Sequence, residues 1–194
     1  MTDPSAVPPG PDTSPRTLLD TAARIGSLVW QEQRAFEVLS AWSRDDADPG
    51  AQVLFATQAR HHAWRAEQLA ARFPAVADLA LGERLVASDP GVEALFDALG
   101  ALDHAATTDR LAGAHRVLLP RLLASHELDL ARTTEVAEAP LRRTLRQVVT
   151  DEAEDLAAGE AMLAARLDAD PDAAAAAGAL VARLSALLDG GRAA

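Results

Sequence analysis

The chain has 194 residues, enough for one domain, with 18 basic against 29 acidic residues and a net charge of −11. It has no Cys, which excludes disulfides, zinc–thiolate sites, iron–sulfur clusters and cysteine nucleophiles, and every basic residue is Arg, which excludes a catalytic lysine and a Walker A phosphate loop. The acidic balance disfavours nucleic acid, and the 49% of hydrophobic residues allow a sizeable core.

Residues 1–15 contain five prolines and little to bury, so they are expected to form a disordered tail, followed by one helical domain over 16–190. The tail lacks an apolar signal core, and no apolar run approaches the roughly 20 residues of a membrane span. The expected location is therefore the cytoplasm, with no membrane partner. From Arg16 to Arg44 the residues Ile25, Leu28, Val29, Phe36, Leu39 and Trp42 recur at helical spacing, with Gly26 the one weak point. Asp45 to Gly50 is a turn. A second helix is predicted from Ala51 to Phe73, ended by Pro74.

Residues 74–90 form a longer connection, closed by the helix-start signal Ser88-Asp89-Pro90. A third helix is predicted over Gly91–Ala131, kinked or split at Pro120. A fourth runs from Pro140 to about Leu167, and a fifth, Ala-rich one starts at Asp170-Pro171 and ends at Gly190-Gly191. Two helical hairpins joined by one long crossover are the ferritin-like arrangement; a plain up-down bundle is the simpler alternative.

The inward stripe of a bundle helix is apolar, and a carboxylate placed there is costly unless paired or metal-bound. Glu32 falls on the stripe of the first helix. Gln58, with His61 or His62, falls on that of the second. His115 and Arg121 interrupt the third, and Glu152 with Asp155 interrupts the fourth. A di-iron carboxylate centre takes one Glu from each of two helices and a Glu-x-x-His motif from each of the other two. Here Gln58-x-x-His61 has Gln for Glu, and Glu152-x-x-Asp155 has Asp for His. Simpler readings stand beside these: a solvated Glu32, an ordinary packed His61-His62 pair, a core His115 and a solvated acidic face at Asp151–Asp155. His104 and His126 show no partner pattern and are assigned no role.

WQEQRAFEVLSAW (30–42), with Glu32, Phe36 and Glu37, resembles the first helix of ferritin-like proteins of the MiaE-type tRNA hydroxylase group and their shorter bacterial relatives. The segments 56–73, 109–131 and 142–167 are similar to the other three helices of that group. The resemblance implies an all-α, ferritin-like four-helix bundle with a C-terminal helix. It puts the metal ligands at Glu32, Gln58, His61, Glu152 and Asp155, or Asp151/Glu154 in a register shifted by one; His115, from the stripe of the third helix, is a secondary candidate.

The ligand it implies on the third helix falls near Arg121. This leads to the expectation that Arg121 pairs with Glu32 and Glu152 in place of metal. The expected function is then a ferritin-like protein with an eroded di-metal site, non-catalytic, without cofactor. It would serve as a scaffold or bind a protein partner, a small molecule or a second copy of itself as a homodimer. The alternative is a non-haem di-iron oxidase or hydroxylase with an unusual ligand set. An iron-storage cage fits least, and no Gly-x-Ser-x-Gly elbow supports a hydrolase.

Overall fold

Thr17 starts the first helix. Its hydroxyl accepts from the Asp20 N–H at 3.1 Å, and the Asp20 carboxylate accepts from the Thr17 N–H at 3.3 Å, a reciprocal cap. The computed structural model describes residues 16–190, so the tail 1–15 lies outside the described residues. Within them all regular structure is helical. α1 spans Leu18–Asp45 and α2 spans Pro49–Ala70. α2 begins two residues before the predicted start, because Asp48 accepts from the Ala51 N–H at 2.8 Å and Pro49 fills a position that needs no donor. Asp89 starts α3 (Pro90–Gly100) in the same way, accepting from the Val92 N–H at 3.0 Å.

The predicted third helix is broken, and not first at Pro120. α3 stops at Gly100, and the Asp103 carboxylate accepts from the Ala105 N–H at 2.7 Å, a local turn that competes with helix. The chain restarts as α4 (Thr107–Gly113), widens into a π turn over Ala114–Leu118, and continues as α5 (Leu119–Arg132). The kink expected at Pro120 takes the form of that π turn. The Leu119 N–H reaches back to the Ala114 carbonyl, just before the residue that has no N–H to give. α6 spans Ala139–Ala169 and α7 spans Pro171–Gly190.

Side-chain pairings set the directions. Trp42 meets Phe55 and Glu32 meets His62, so α1 and α2 are antiparallel. Gln58 meets Asp155 and Arg65 meets Asp151, so α6 runs against α2. His115 lies on Gly159 and His126 on Glu152, so α6 also runs against the α4–α5 segment. α2 and α4–α5 are therefore parallel. Residues 71–106 make this possible by carrying the chain back along the molecule. This strap crosses α1 at Gly26, where an added Cβ would lie 2.3 Å from the Arg84 carbonyl oxygen. The weak point of the first helix is thus a point of close approach.

The core is split. A larger apolar cluster includes Trp42, Phe55, Phe96, Leu111 and Leu163, and a smaller one includes Ile25, Leu28, Leu69, Leu141 and Leu145. Between them α1, α2, α5 and α6 all turn polar residues inward. α7 packs on α3 and α4 through Ala177, Leu180 and Leu184. With 20 residues and a mean hydropathy of 1.3, α7 is long and apolar enough to cross a membrane by length and composition. It is not an uninterrupted apolar run, since Asp172, Arg183 and Asp189 fall within it.

Candidate functional site

The polar layer is built around Arg65, which is entirely buried. Its Nε donates to Glu32 Oε2 at 3.2 Å, and both terminal nitrogens donate to Asp155 Oδ2 at 3.0 Å. One of them also pairs with Asp151. Glu32 Oε2 accepts a second hydrogen bond from His62 Nδ1 at 2.7 Å. On the α5 side, His126 Nδ1 donates to Glu152 Oε2 at 2.8 Å. Glu32, His62, Arg65, His126 and Glu152 all sit between the two apolar clusters with at most 1% of their surface exposed.

The charges hold one another. Burial would raise the Glu32 carboxyl, but His62, Arg65 and His126 outweigh it and bring its pKa down to about 2. Burial opposes the Arg65 charge as well, and Glu32, Glu152, Asp155 and Asp151 together raise its pKa above the ordinary value. His126 is likewise raised: burial works against its proton, and Glu152 and Glu32 more than compensate.

Beside this layer lies a bracket of neutral side chains. Gln58 Nε2 donates to the Asp155 carbonyl at 2.8 Å, and its Oε1 accepts from His115 Nε2 at 3.0 Å. His115 Nδ1 is 2.9 Å from the Leu111 carbonyl. Burial lowers the His115 pKa below 6.5. Its ring packs against α6 at Gly159, where a Cβ would fall 1.9 Å from ring atoms, so only glycine fits there. His115 also stands in the π turn that begins at Ala114.

The structure brings only some of the residues expected at the site to the polar layer. Glu32, Gln58, Glu152 and Asp155 are all buried, whereas Asp151 is half-buried and Glu154 exposed. Gln58 does not face the carboxylates; it brackets α2, α4–α5 and α6 together. His61 is half-buried, with Nδ1 2.8 Å from Asp155 Oδ1. The α2 side chains that meet Glu32 are instead His62 and Arg65.

Arg121, expected to pair with Glu32 and Glu152, stands 3.8 Å from Asp89, with 23% of its side chain exposed. The reason is helical phase. The buried face of α5 runs through Leu119, Leu122, Ser125, His126 and Asp129, and position 121 falls beside it. Arg65 fills the role foreseen for Arg121. His126 was missed, although its i,i+4 spacing from Leu122 on the buried stripe was visible in the sequence.

Two groups of side chains bring metal-type donor atoms within 4.8 Å of one another: Glu32 with His126 and Glu152, and His61 with Asp151 and Asp155. In the second group both aspartates already pair with Arg65. In the first group Glu32 Oε1, Glu152 Oε1 and His126 Nε2 have no hydrogen-bond partner; His62 Nε2, also in the layer, has none either. Two metal ions do not fit these residues. On α2 the positions that meet the carboxylates carry an imidazole and a permanent guanidinium cation, where a di-metal centre needs an acid and an imidazole.

No protein-family model matches the chain, and no match was found among curated proteins or solved structures.

Proposed function

We propose that this chain is a ferritin-like helical bundle of the kind its sequence resembles, with an eroded di-metal centre, and that it works without redox catalysis as a scaffold or binding protein. The observation that carries this reading is Arg65. A fully buried guanidinium is shared among Glu32 of α1 and Asp151 and Asp155 of α6, so one side chain supplies positive charge where a metal pair would. The parallel course of α2 and α4–α5, with the long strap over 71–106, supports the two-hairpin bundle over a plain up-down one. The net charge of −11 speaks against tRNA as a ligand.

The experiment is anaerobic Fe(II) loading of the purified chain, followed by admission of dioxygen. The reading expects no dioxygen consumption and no near-ultraviolet oxo-bridge band. Two irons per chain with that band would overturn it in favour of the oxidase alternative.

A further inference from the structure

Where α2 stops and α6 begins, a cavity of about 370 Å³ opens between the two helices. Its polar lining is Gln68 and Arg72 from the α2 side and Arg143, Thr144 and Gln147 from α6. Helical spacing puts 143, 144 and 147 on one face of α6. All five side chains can donate a hydrogen bond, and no carboxylate stands among them. None of the five makes a side-chain hydrogen bond or ion pair among the described residues. Thr144 is nevertheless only 4% exposed, and Arg72 Nε is shut off from solvent without a hydrogen-bond partner. A buried donor left unpaired costs free energy, which an acceptor seated in the cavity would return.

The local charge points the same way. In a chain of net charge −11, Arg72 and Arg143 bring two permanent positive charges to one cavity with no acid on its walls. The first turn of α6 carries no acidic side chain and no side-chain cap, so the positive end of the helix dipole is not offset there. Glu138 shares the adjoining cavity with Arg72 but is engaged elsewhere. Its Oε2 accepts from the Thr134 N–H at 2.9 Å, and its Oε1 stands 3.8 Å from Arg16 Nη1.

We propose that this cavity binds a phosphate group, either free or carried on a small organic monoester. Two guanidiniums match the roughly two negative charges of a phosphate, and two amides and a hydroxyl serve the oxygens the guanidiniums leave. A carboxylate carries half that charge and one oxygen fewer. An adjoining cavity of about 430 Å³ shares Arg72 and Pro140 with this one and is walled by Leu18, Ile25, Pro74 and Leu141, so the organic part of an ester has an apolar place to lie. The inference goes beyond the function proposed above and uses none of the side chains of the polar layer.

The test titrates the full chain with inorganic phosphate and with phenyl phosphate at constant ionic strength, followed by calorimetry. One saturable site per chain is expected. Arg72→Gln and Arg143→Gln should each weaken phosphate binding by about 10-fold or more. Arg183→Gln, which removes an exposed arginine of α7, should leave it unchanged. Arg143 is exposed and has no partner to lose, so its variant keeps the fold and decides the matter if Arg72→Gln does not fold. Tighter binding of phenyl phosphate than of inorganic phosphate identifies a monoester as the ligand, and equal affinity identifies free phosphate; both results support the site. No saturable binding of either compound, wild-type affinity in a folded Arg143→Gln, or an equal loss in Arg183→Gln overturns it. These outcomes leave the reading of a non-redox bundle standing, because that reading fails separately, on two irons and an oxo-bridge band.

Discussion

Arg65 Nε donates to Glu32 Oε2 at 3.2 Å, linking α2 to α1 at a point where neither side chain reaches solvent. A buried pair of this kind contributes little net stability compared with apolar residues of the same volume. Breaking it is another matter, because Glu32 and Asp155 lose the guanidinium they share while both stay buried.

Arg65→Ala is therefore expected to destabilise the fold by about 3–5 kcal/mol, read as a drop in the urea midpoint. Arg116→Ala, which removes an exposed pair with Glu160, should cost below about 1 kcal/mol. The double variant Glu32→Gln with Arg65→Met should lose less than the sum of the two single changes, because it removes charge from both sides. Additive losses would show that the two groups are not coupled.

Two glycines should respond oppositely to alanine. At Gly159 a Cβ would fall 1.9 Å from the His115 ring, so Gly159→Ala must push the imidazole out of its place and should cost about 1–3 kcal/mol. At Gly178 a Cβ meets nothing within 4 Å, so Gly178→Ala should stabilise α7 by up to about 1 kcal/mol. Thermal melts of the two variants check both signs.

Stability should fall with acid in two stages. His115, buried and held neutral, has its pKa lowered from 6.5, so the unfolded chain binds its proton first and stability begins to drop as pH falls below 6.5. Glu32 has its pKa lowered from 4.5 to about 2, so its contribution is full above pH 4.5 and is lost as pH falls through that window towards 2. The Glu32 part is on the order of 3 kcal/mol. Urea midpoints measured from pH 7 to pH 2 should show a shallower acid limb in Glu32→Gln than in the wild type. Parallel limbs would show that Glu32 is not held by its neighbours.

The polar layer was legible in part. Glu32, Gln58, Glu152 and Asp155 interrupt apolar stripes, and a 3.6-residue period is enough to see that. On α2 the period was not enough. Positions 58, 61, 62 and 65 fall on nearly one face, and nothing in the spacing separates an inward His62 from an edge His61. Arg65 lies where a long side chain would ordinarily reach out to water. His126 shows no local partner because its partners, Glu152 and Glu32, sit on other helices. The break at Gly100 was missed because α3 keeps its apolar spacing up to Leu99.

By itself the sequence determined that the chain is helical, through period and through the Ser88-Asp89-Pro90 start signal, and it showed that something polar crosses the core at mid-height. Those are local properties, set within a few residues of the chain. The tertiary structure decided which polar groups meet. A helix advances about 100° per residue, so exchanging His61 for His62 at the centre takes a rotation of that size about the helix axis. Only the packing of α1, α2, α5 and α6 around one layer sets that rotation. The same packing puts the guanidinium of Arg65, rather than Arg121, among the carboxylates.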